Sequence, residues 1–249
     1  MTAHLEVEGL YKIHVASHAE VPVLRGVSFT VQPGEFVCVM GPSGSGKTTL
    51  LHILSGLDQP SAGVIRLGGQ DLTQLPERER TLARRREVGY VFQFFNLMPN
   101  LTVEENIGLP IAIAGSEPSA QRAAIRAQAE TLGIGHRLAA FPHELSGGEM
   151  QRASIARALV GGQRLLLCDE PTGNLAQKAG AEVMELLRKA RDEEGRTVVL
   201  VTHNPRDAAF ADRVLFLVDG VLAEDSELRR GADPLTAEDI HTVLARLSI

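Results

Sequence analysis

Gly41-Pro42-Ser43-Gly44-Ser45-Gly46-Lys47-Thr48-Thr49 is the stretch on which the reading of this 249-residue chain turns. Residues 35–40 before it (EFVCVM) are short, apolar and valine-rich, the pattern of a buried strand. Residues 48–55 after it (TTLLHILS) are leucine-rich enough to open a helix. A strand, a glycine-rich turn and a helix start, in that order, build a polyphosphate site. The glycines let backbone N–H groups close around phosphate oxygens, the helix N-terminus adds partial positive charge, and Lys47 adds a full one. Thr48 then offers its hydroxyl to Mg²⁺.

Outward from this loop, the N-terminal side reads as an antiparallel β layer. Residues 5–31 alternate in stretches such as Val27-Ser28-Phe29-Thr30-Val31, and Pro33-Gly34 turns the chain into the loop strand. Residues 64–67, ending at Gly68-Gly69, are expected to join that layer. The arginine-rich segment around residues 77–87 reads as a solvated helix with internal ion pairs. Residues 88–92 form a further strand, ending at Gln93. From about residue 95 to 160 the pattern is helical: Thr102 and Glu105 have capping-box spacing, residues 116–132 are alanine-rich, and Ser146 opens a helix that stops at Gly161. Strands at 165–168, 197–201 and 213–218 then alternate with helices, one of which carries Val183, Met184, Leu186, Leu187 and Ala190 on one face. That alternation predicts an α/β fold with a mostly parallel sheet covered on both faces. Asp219-Gly220 marks a hairpin turn. After about residue 225 a tail remains, with Thr236 and Asp239 at capping spacing and Ile240, Val243, Leu244 and Leu247 forming a short amphipathic helix.

Two further places carry chemistry. The apolar strand 165–168 ends in Asp169 and Glu170, and in a parallel sheet that end lies beside the phosphate loop. Side chains alternate across a strand, so Asp169 can reach the Mg²⁺ shell while Glu170 faces the space beyond the terminal phosphate and polarises a water. Leu145-Ser146-Gly147-Gly148-Glu149 opens a helix with two glycines in its first turn, where each costs about 1 kcal/mol relative to alanine. A Ser146–Glu149 capping box accounts for the serine and glutamate; a second anion site accounts for Gly147 and Gly148.

Composition sets limits. At 44% hydrophobic residues the chain can bury one substantial core, and a net charge of -6 disfavours nucleic acid as a partner. Cys38 and Cys168 fall inside apolar strands without metal-ligand spacing, as reduced core residues do. No apolar run approaches the length of a bilayer span.

Together, GPSGSGKTT, LSGGEMQR and LLLCDEP closely resemble the nucleotide-binding subunits of ATP-binding cassette (ABC) proteins, over the chain up to about Glu224. The resemblance implies a P-loop NTPase core with an antiparallel β subdomain and an α-helical subdomain at about 95–160, filling residues 1–225 and followed by the tail 226–249. It implies an Mg²⁺-dependent ATPase in which Gly41 to Thr49 hold ATP, Thr48, Gln93 and Asp169 serve the metal, Glu170 is the catalytic base, Gln93 senses Mg²⁺ and water, and His203 contacts the γ-phosphate. It implies a homodimer whose Leu145, Ser146, Gly147, Gly148 and Glu149 close on ATP held by the opposite subunit. Within the family, QFFNLMPNLTVEEN and DEPTGNL resemble the branch serving lipoprotein release, macrolide export and cell division, whose members act with a separate permease-type membrane protein on the cytoplasmic face. Phe94, Phe95, Leu97 and Met98 either face that partner or pack beneath the helical segment. Two positions depart from the pattern: His14 stands where a tyrosine stacks on adenine, and Ala176 where an aspartate meets the dimer interface. The rival reading is a regulatory module that holds ATP and hydrolyses it weakly, and Ala176 favours it. Soluble cassette ATPases working on ribosomes or DNA carry a second cassette or a long coiled coil, and a small-molecule kinase leaves LSGGEMQR and His203 without a purpose.

Overall fold

The computed structural model describes residues 4–16, 19–115, 118–223 and 226–249. Two long strands, β1 (Leu5–Ala16) and β2 (Ala19–Val31), pair antiparallel, and β3 (Phe36–Met40) leads into the glycine loop and α1 (Lys47–Leu54). The chain returns as β4 (Ala62–Leu67), antiparallel to β1, and a short β5 (Gln70–Asp71). Next come α2 (Glu77–Glu87), β6 (Val88–Val91), and the helices α3 (Val103–Ile113), α4 (Pro118–Thr131) and α5 (Gly147–Leu159). Then follow β7 (Leu165–Asp169), α6 (Gln177–Asp192), β8 (Thr197–Thr202), a single turn α7 (Pro205–Ala208), β9 (Arg213–Val218), β10 (Val221–Leu222), β11 (Leu228–Arg229) and α8 (Ala237–Leu247).

Among the described residues there are two sheets. The antiparallel one runs β2-β1-β4-β5, as its alternating sequence predicts. In the other, β9, β3, β8, β7 and β6 lie side by side and parallel, β10 and β11 adding short antiparallel pairs to β9. Strand alternation gives this sheet two apolar faces. Phe36, Cys38 and Met40 of β3, with Leu166, Cys168, Val198, Leu200 and Phe216, face α3 to α8. Val37 and Val39, with Leu165, Leu167, Val199 and Val201, face α1 and the antiparallel sheet. Each fully buried aliphatic side chain stabilises this arrangement by about 1.5–3 kcal/mol relative to exposure. Both cysteines are free and buried, and burial pushes their thiols far up.

The local signals are in place. Thr102 and Glu105, Ser146 and Glu149, and Thr236 and Asp239 each form a reciprocal capping box. Asp219 and Gly220 both have positive φ, the geometry of the turn between β9 and β10. Ser116, the expected start of α4, lies outside the described residues, as do Glu224 and Asp225 at the expected end of the cassette. Beyond that point the chain rejoins the same body: β11 pairs with β9, and Ile240 and Val243 of α8 are buried in the core that holds β3.

Helix α2 departs from the solvated helix that its composition predicts. Arg80 and Ala83 are buried: Arg80 pairs with Glu77, and Arg84 donates to Gly56 O at 2.9 Å. The arginine stems therefore pack the helix onto the loop after α1.

Strand β6 and helix α5 approach most closely at Gly89, where a Cβ would run into the carbonyl oxygen of Ala158 and stand 3.1 Å from Leu166 Cδ1. Gly89→Ala should destabilise the protein by about 1–3 kcal/mol, the usual cost of overpacking. Urea unfolding reads this as a lower midpoint; an unchanged midpoint would mean that α5 can lift from the sheet without penalty.

Candidate active site

The order of strands decides what meets at their C-terminal ends. Crossing the sheet from β3 through β8 and β7 to β6, those ends deliver in turn the glycine loop, His203, Asp169 with Glu170, and Gln93. This is the edge at which open parallel sheets hold ligands.

In the loop itself, Gly44 and Gly46 have φ of 82° and 102°, the left-handed region that favours glycine. Gly41 is required for a different reason, since a Cβ there would collide with the Leu217 carbonyl of β9. Gly46 is the N-cap of α1 and gives it no side-chain cap, so the first N–H groups of the helix have no partner from a capping side chain. Ser45 Oγ is buried and unpartnered, while Pro42, Ser43, Gly44 and Thr48 are exposed. Lys47 is buried, and its Nζ donates to Gly41 O at 2.9 Å and Pro42 O at 2.8 Å. Burial lowers the Lys47 ammonium, with Glu170 and Asp169 opposing that shift. Uncapped helix donors, an orphaned hydroxyl and a buried ammonium fit a bound polyphosphate.

Beside this cradle, Thr48 Oγ1 donates to Asp169 Oδ1 at 3.1 Å. Burial raises the Asp169 carboxyl, against the hydrogen bond from Thr48. Among the described residues no group of three or more His, Cys, Asp or Glu side chains could hold a metal by itself. A hydroxyl facing one carboxylate is instead the oxygen donor set that Mg²⁺ uses when phosphates complete its shell.

Glu170 has φ of 42°, uncommon for a side chain that is not glycine, and its N–H donates to Val201 O at 3.0 Å. This bend turns Glu170 toward β8, where its Oε2 lies 3.0 Å from His203 Nδ1. Gln93 meets the turn after Glu170: Asn174 Nδ2 donates to Gln93 O at 2.9 Å. A Cβ on Gly173 would stand 3.4 Å from Gln93 Nε2 and 3.6 Å from Glu170 Oε2, ordinary contact distances that place both side chains beside this turn.

Other residues singled out by sequence lie apart. His14 is exposed on β1, opposite Val21; it is Val23 and Leu24 of β2 that abut Gly46. Among the described residues no hydrogen bond or ion pair joins Leu145–Glu149 to the glycine loop of the same chain. At the start of α5, Ser146 and Glu149 cap each other, and Glu149 is held below the usual carboxylate range by the Ser146 N–H and hydroxyl. Gly147 and Gly148 have a packing reason that sequence did not reveal: a Cβ on either would press on Leu175 Cδ2 at 3.2 Å or Ala179 Cβ at 3.3 Å.

The apolar segment after Gln93 divides. Phe94 is 69% exposed and Met98 is exposed, while Leu97 packs on the core and the Phe95 ring lies 3.9 Å from the Cβ position of Gly147. Phe95 and Asn96 both have positive φ, which aims their carbonyls at the buried Arg157 of α5; Arg157 Nη2 donates to Phe95 O at 2.7 Å and Nη1 donates to Asn96 O. Asn106 ties the other end through Met98, Leu101 and Thr102. Sequence also missed Tyr90, whose hydroxyl stands 3.5 Å from Asp169 Oδ2, and Asp207, which accepts from Thr172. These pairs join residues far apart in the chain and have no local pattern.

Comparison with known proteins places this geometry. A family model described as ABC transporter matches residues 24–173, a span that contains the glycine loop, Gln93, Leu145–Glu149, Asp169 and Glu170. The lipoprotein-releasing system ATP-binding protein LolD of Geobacter metallireducens is 44% identical over 225 residues, covering 90% of this chain and 100% of that protein. The macrolide export ATP-binding/permease protein MacB of Syntrophobacter fumaroxidans is 41% identical over 251 residues, covering 97% of this chain and 35% of its own length. The chain thus spans about a third of the macrolide-export relatives it matches. Among solved structures, the dimeric ATP-binding cassette MJ0796 in a post-hydrolysis state bound to ADP and Pi aligns with a TM-score of 0.84 at 35% identity, over 91% of this chain and 99% of that one.

The buried Asp169 makes a stability prediction with a definite sign. Its folded carboxyl is raised above the ordinary value of 3.8, so the stability it contributes is complete below that value and is lost as pH rises through the folded value. Asp169→Asn removes the charge at constant shape. At pH 8 the variant should melt at or above the parent temperature, with the gap closing toward pH 3.8, where both carry a neutral group. A variant less stable than the parent at pH 8 would show that the Thr48 hydrogen bond outweighs the cost of burial.

Proposed function

The chain belongs to the ABC transporter family, and from that premise we propose that it is the nucleotide-binding subunit of a transporter or mechanotransmission complex, hydrolysing ATP to ADP and phosphate with Mg²⁺. The observation that carries the reading is the 3.0 Å approach of Glu170 Oε2 to His203 Nδ1, on the sheet edge that also holds Lys47, Thr48 and Asp169. Lys47 and the loop N–H groups bind the phosphates. Thr48, Asp169 and Gln93 would hold Mg²⁺, which when bound would neutralise charge on the phosphate oxygens. Glu170 orients a water and takes its proton as the water oxygen bonds to the γ-phosphorus and the bond from phosphorus to the ADP oxygen breaks. His203 steadies Glu170 and meets the γ-phosphate oxygens. His14 offers its ring to the adenine.

Among the described residues the side-chain hydrogen bonds and ion pairs of Ser146 and Glu149 are to each other, His136 and Arg137 and not to the glycine loop of their own chain. This is consistent with a head-to-tail homodimer in which α5 of one copy covers ATP on the other. The dimeric state of the MJ0796 cassette is consistent with this. Coupling to a permease-type membrane protein is supported by the ATP-binding/permease name of the macrolide-export relative and by a groove of about 610 Å³ between α2, β6, α3 and α5. Leu57, Leu82 and Ile113 on its walls are exposed, and Phe94 and Met98 follow Gln93 in the adjoining sequence. No helix among the described residues is long and apolar enough to cross a membrane; the proposed place, beside that membrane partner, is peripheral and on the cytoplasmic face. The regulatory reading, in which ATP is held with little hydrolysis, rests on Ala176, which offers no carboxylate and is exposed.

Glu170→Gln should keep ATP binding, lower Mg²⁺-dependent phosphate release by about 10²- to 10⁴-fold, and accumulate an ATP-bound dimer on gel filtration. Near-parental release would remove Glu170 from the mechanism; a parent that binds ATP without releasing phosphate would favour the regulatory module.

For docking, Phe94 is the informative position, since it is exposed whereas Phe95 is packed. Phe94→Asp should abolish retention of solubilised membrane partner on the tagged protein, since a charge in a buried contact is costly, while ATPase activity of the isolated protein persists. Retained binding would place the partner elsewhere.

A further inference from the structure

We propose that Asp207, through Thr172, is a positioning residue that clamps the turn after Glu170 to the loop after His203 and so sets the geometry of the Glu170–His203 pair. This inference rests on the roles proposed above for those two residues. The Thr172 hydroxyl, two residues after Glu170, donates to Asp207 Oδ2, and Asp207 sits four residues after His203. The Asn204 side chain also hydrogen bonds to Asp207, and the Asp207 N–H donates to Asn204 O at 3.1 Å. One buried carboxylate therefore gathers a side chain from each of the two loops.

Thr172 is fixed on its other side as well. A Cβ on Gly180 of α6 would stand 3.4 Å from Thr172 Cβ and 3.5 Å from its methyl, so the side chain is packed on the helix while its hydroxyl points to Asp207. The turn it belongs to is short: Gly173 N donates to Glu170 O at 3.0 Å. Any displacement of Thr172 therefore passes to Glu170. The strained φ of 42° at Glu170 needs such a restraint, because an unusual backbone conformation persists only where its surroundings over-determine it. His203 is exposed and pairs with Glu170, and its loop has a second tie in the Asn204 N–H, which donates to Thr202 Oγ1 at 3.0 Å.

Burying Asp207 is unfavourable by itself. Burial pushes its carboxyl up, Glu170 adds to that shift, and the Thr172 hydroxyl, the Asn204 side chain and His203 oppose it. A leucine or valine at 207 would fill this space without that cost but could not join the loops. A polar group kept at such a place is explained by what it holds.

The test uses substitutions at Thr172, because removing the Asp207 carboxylate could unfold the loop. Thr172→Val keeps the shape and deletes the hydroxyl; Thr172→Ser keeps the hydroxyl and deletes the methyl. With the intact protein, Thr172→Val should lower kcat by roughly 10- to 100-fold, the scale of a misplacement near 1 Å, with ATP affinity close to the parent's. Its melting temperature should be lower by only a few degrees, as expected when a buried carboxylate loses one donor. Thr172→Ser should retain most of the parental kcat. Crystal structures of both variants supply a readout independent of turnover: the Glu170–His203 contact opens in Thr172→Val and stays closed in Thr172→Ser. Parental kcat in Thr172→Val, or a Glu170–His203 contact unchanged by it, would overturn the proposal. A parent without ATPase activity would defeat the proposed function instead, and the two variant structures would still decide whether the clamp exists.

Discussion

The pairing of β8 between β3 and β7 is the constraint on which the site depends. Met40 lies opposite Thr202, and Asp169 opposite Val201, so the loops leaving these three strands start level with one another. Strands advance about 3.3 Å per residue, so a two-residue slip of β8 would carry His203 some 6–7 Å away from Glu170. A one-residue slip would be worse, exchanging the two apolar faces of the strand. The same side chains that bury the sheet therefore fix the register, and the register places the chemistry. Val198 and Leu200 on one face and Val199 and Val201 on the other enforce it from both sides.

That rigidity supports groups that the fold would otherwise disfavour. Lys47, Asp169 and Asp207 are all buried, and burial shifts each toward its neutral form. A buried ionisable group destabilises by kcal/mol amounts even when partly paired, and several such groups lie within a few residues of the strand ends. The two aliphatic cores on either side of β3 offset this many times over at about 1.5–3 kcal/mol per buried side chain. The polar edge is thus affordable only because the strands feeding it are apolar on both faces.

What sequence made legible was local. The glycine loop, three capping boxes, the Asp219-Gly220 turn and the strand runs each lie within a few consecutive residues, and each forms where expected. Contacts that join distant parts of the chain left no such trace. Arg157 reaches the carbonyls of Phe95 and Asn96 across more than sixty residues, and Thr172 meets Asp207 across thirty-five. The departure at α2 has the same origin. Composition alone made α2 a solvated helix because nothing in the spacing of ERERTLARRRE tells which arginine faces Gly56. Gly147 and Gly148 also accommodate Leu175 and Ala179 from another part of the chain, a packing reason that stands beside the anion-site reading and that local spacing does not show.

Ala176 shows how magnitude separates a fold signal from a functional one. It is the N-cap of α6 and provides no side-chain acceptor, where an Asp, Asn, Ser or Thr would gain about 1 kcal/mol. The helix forms regardless, because Val183, Met184, Leu187 and Ala190 are buried against the sheet, and Val183, Met184 and Leu187 together outweigh a missing cap severalfold. The intrachain site does not need a carboxylate at 176 either: Glu170, His203 and Gln93 are brought together by strand order and by the turn at Gly173. Ala176 itself is exposed. In the homodimer proposed above, the alanine therefore bears on closure between copies rather than on assembly of the site within one.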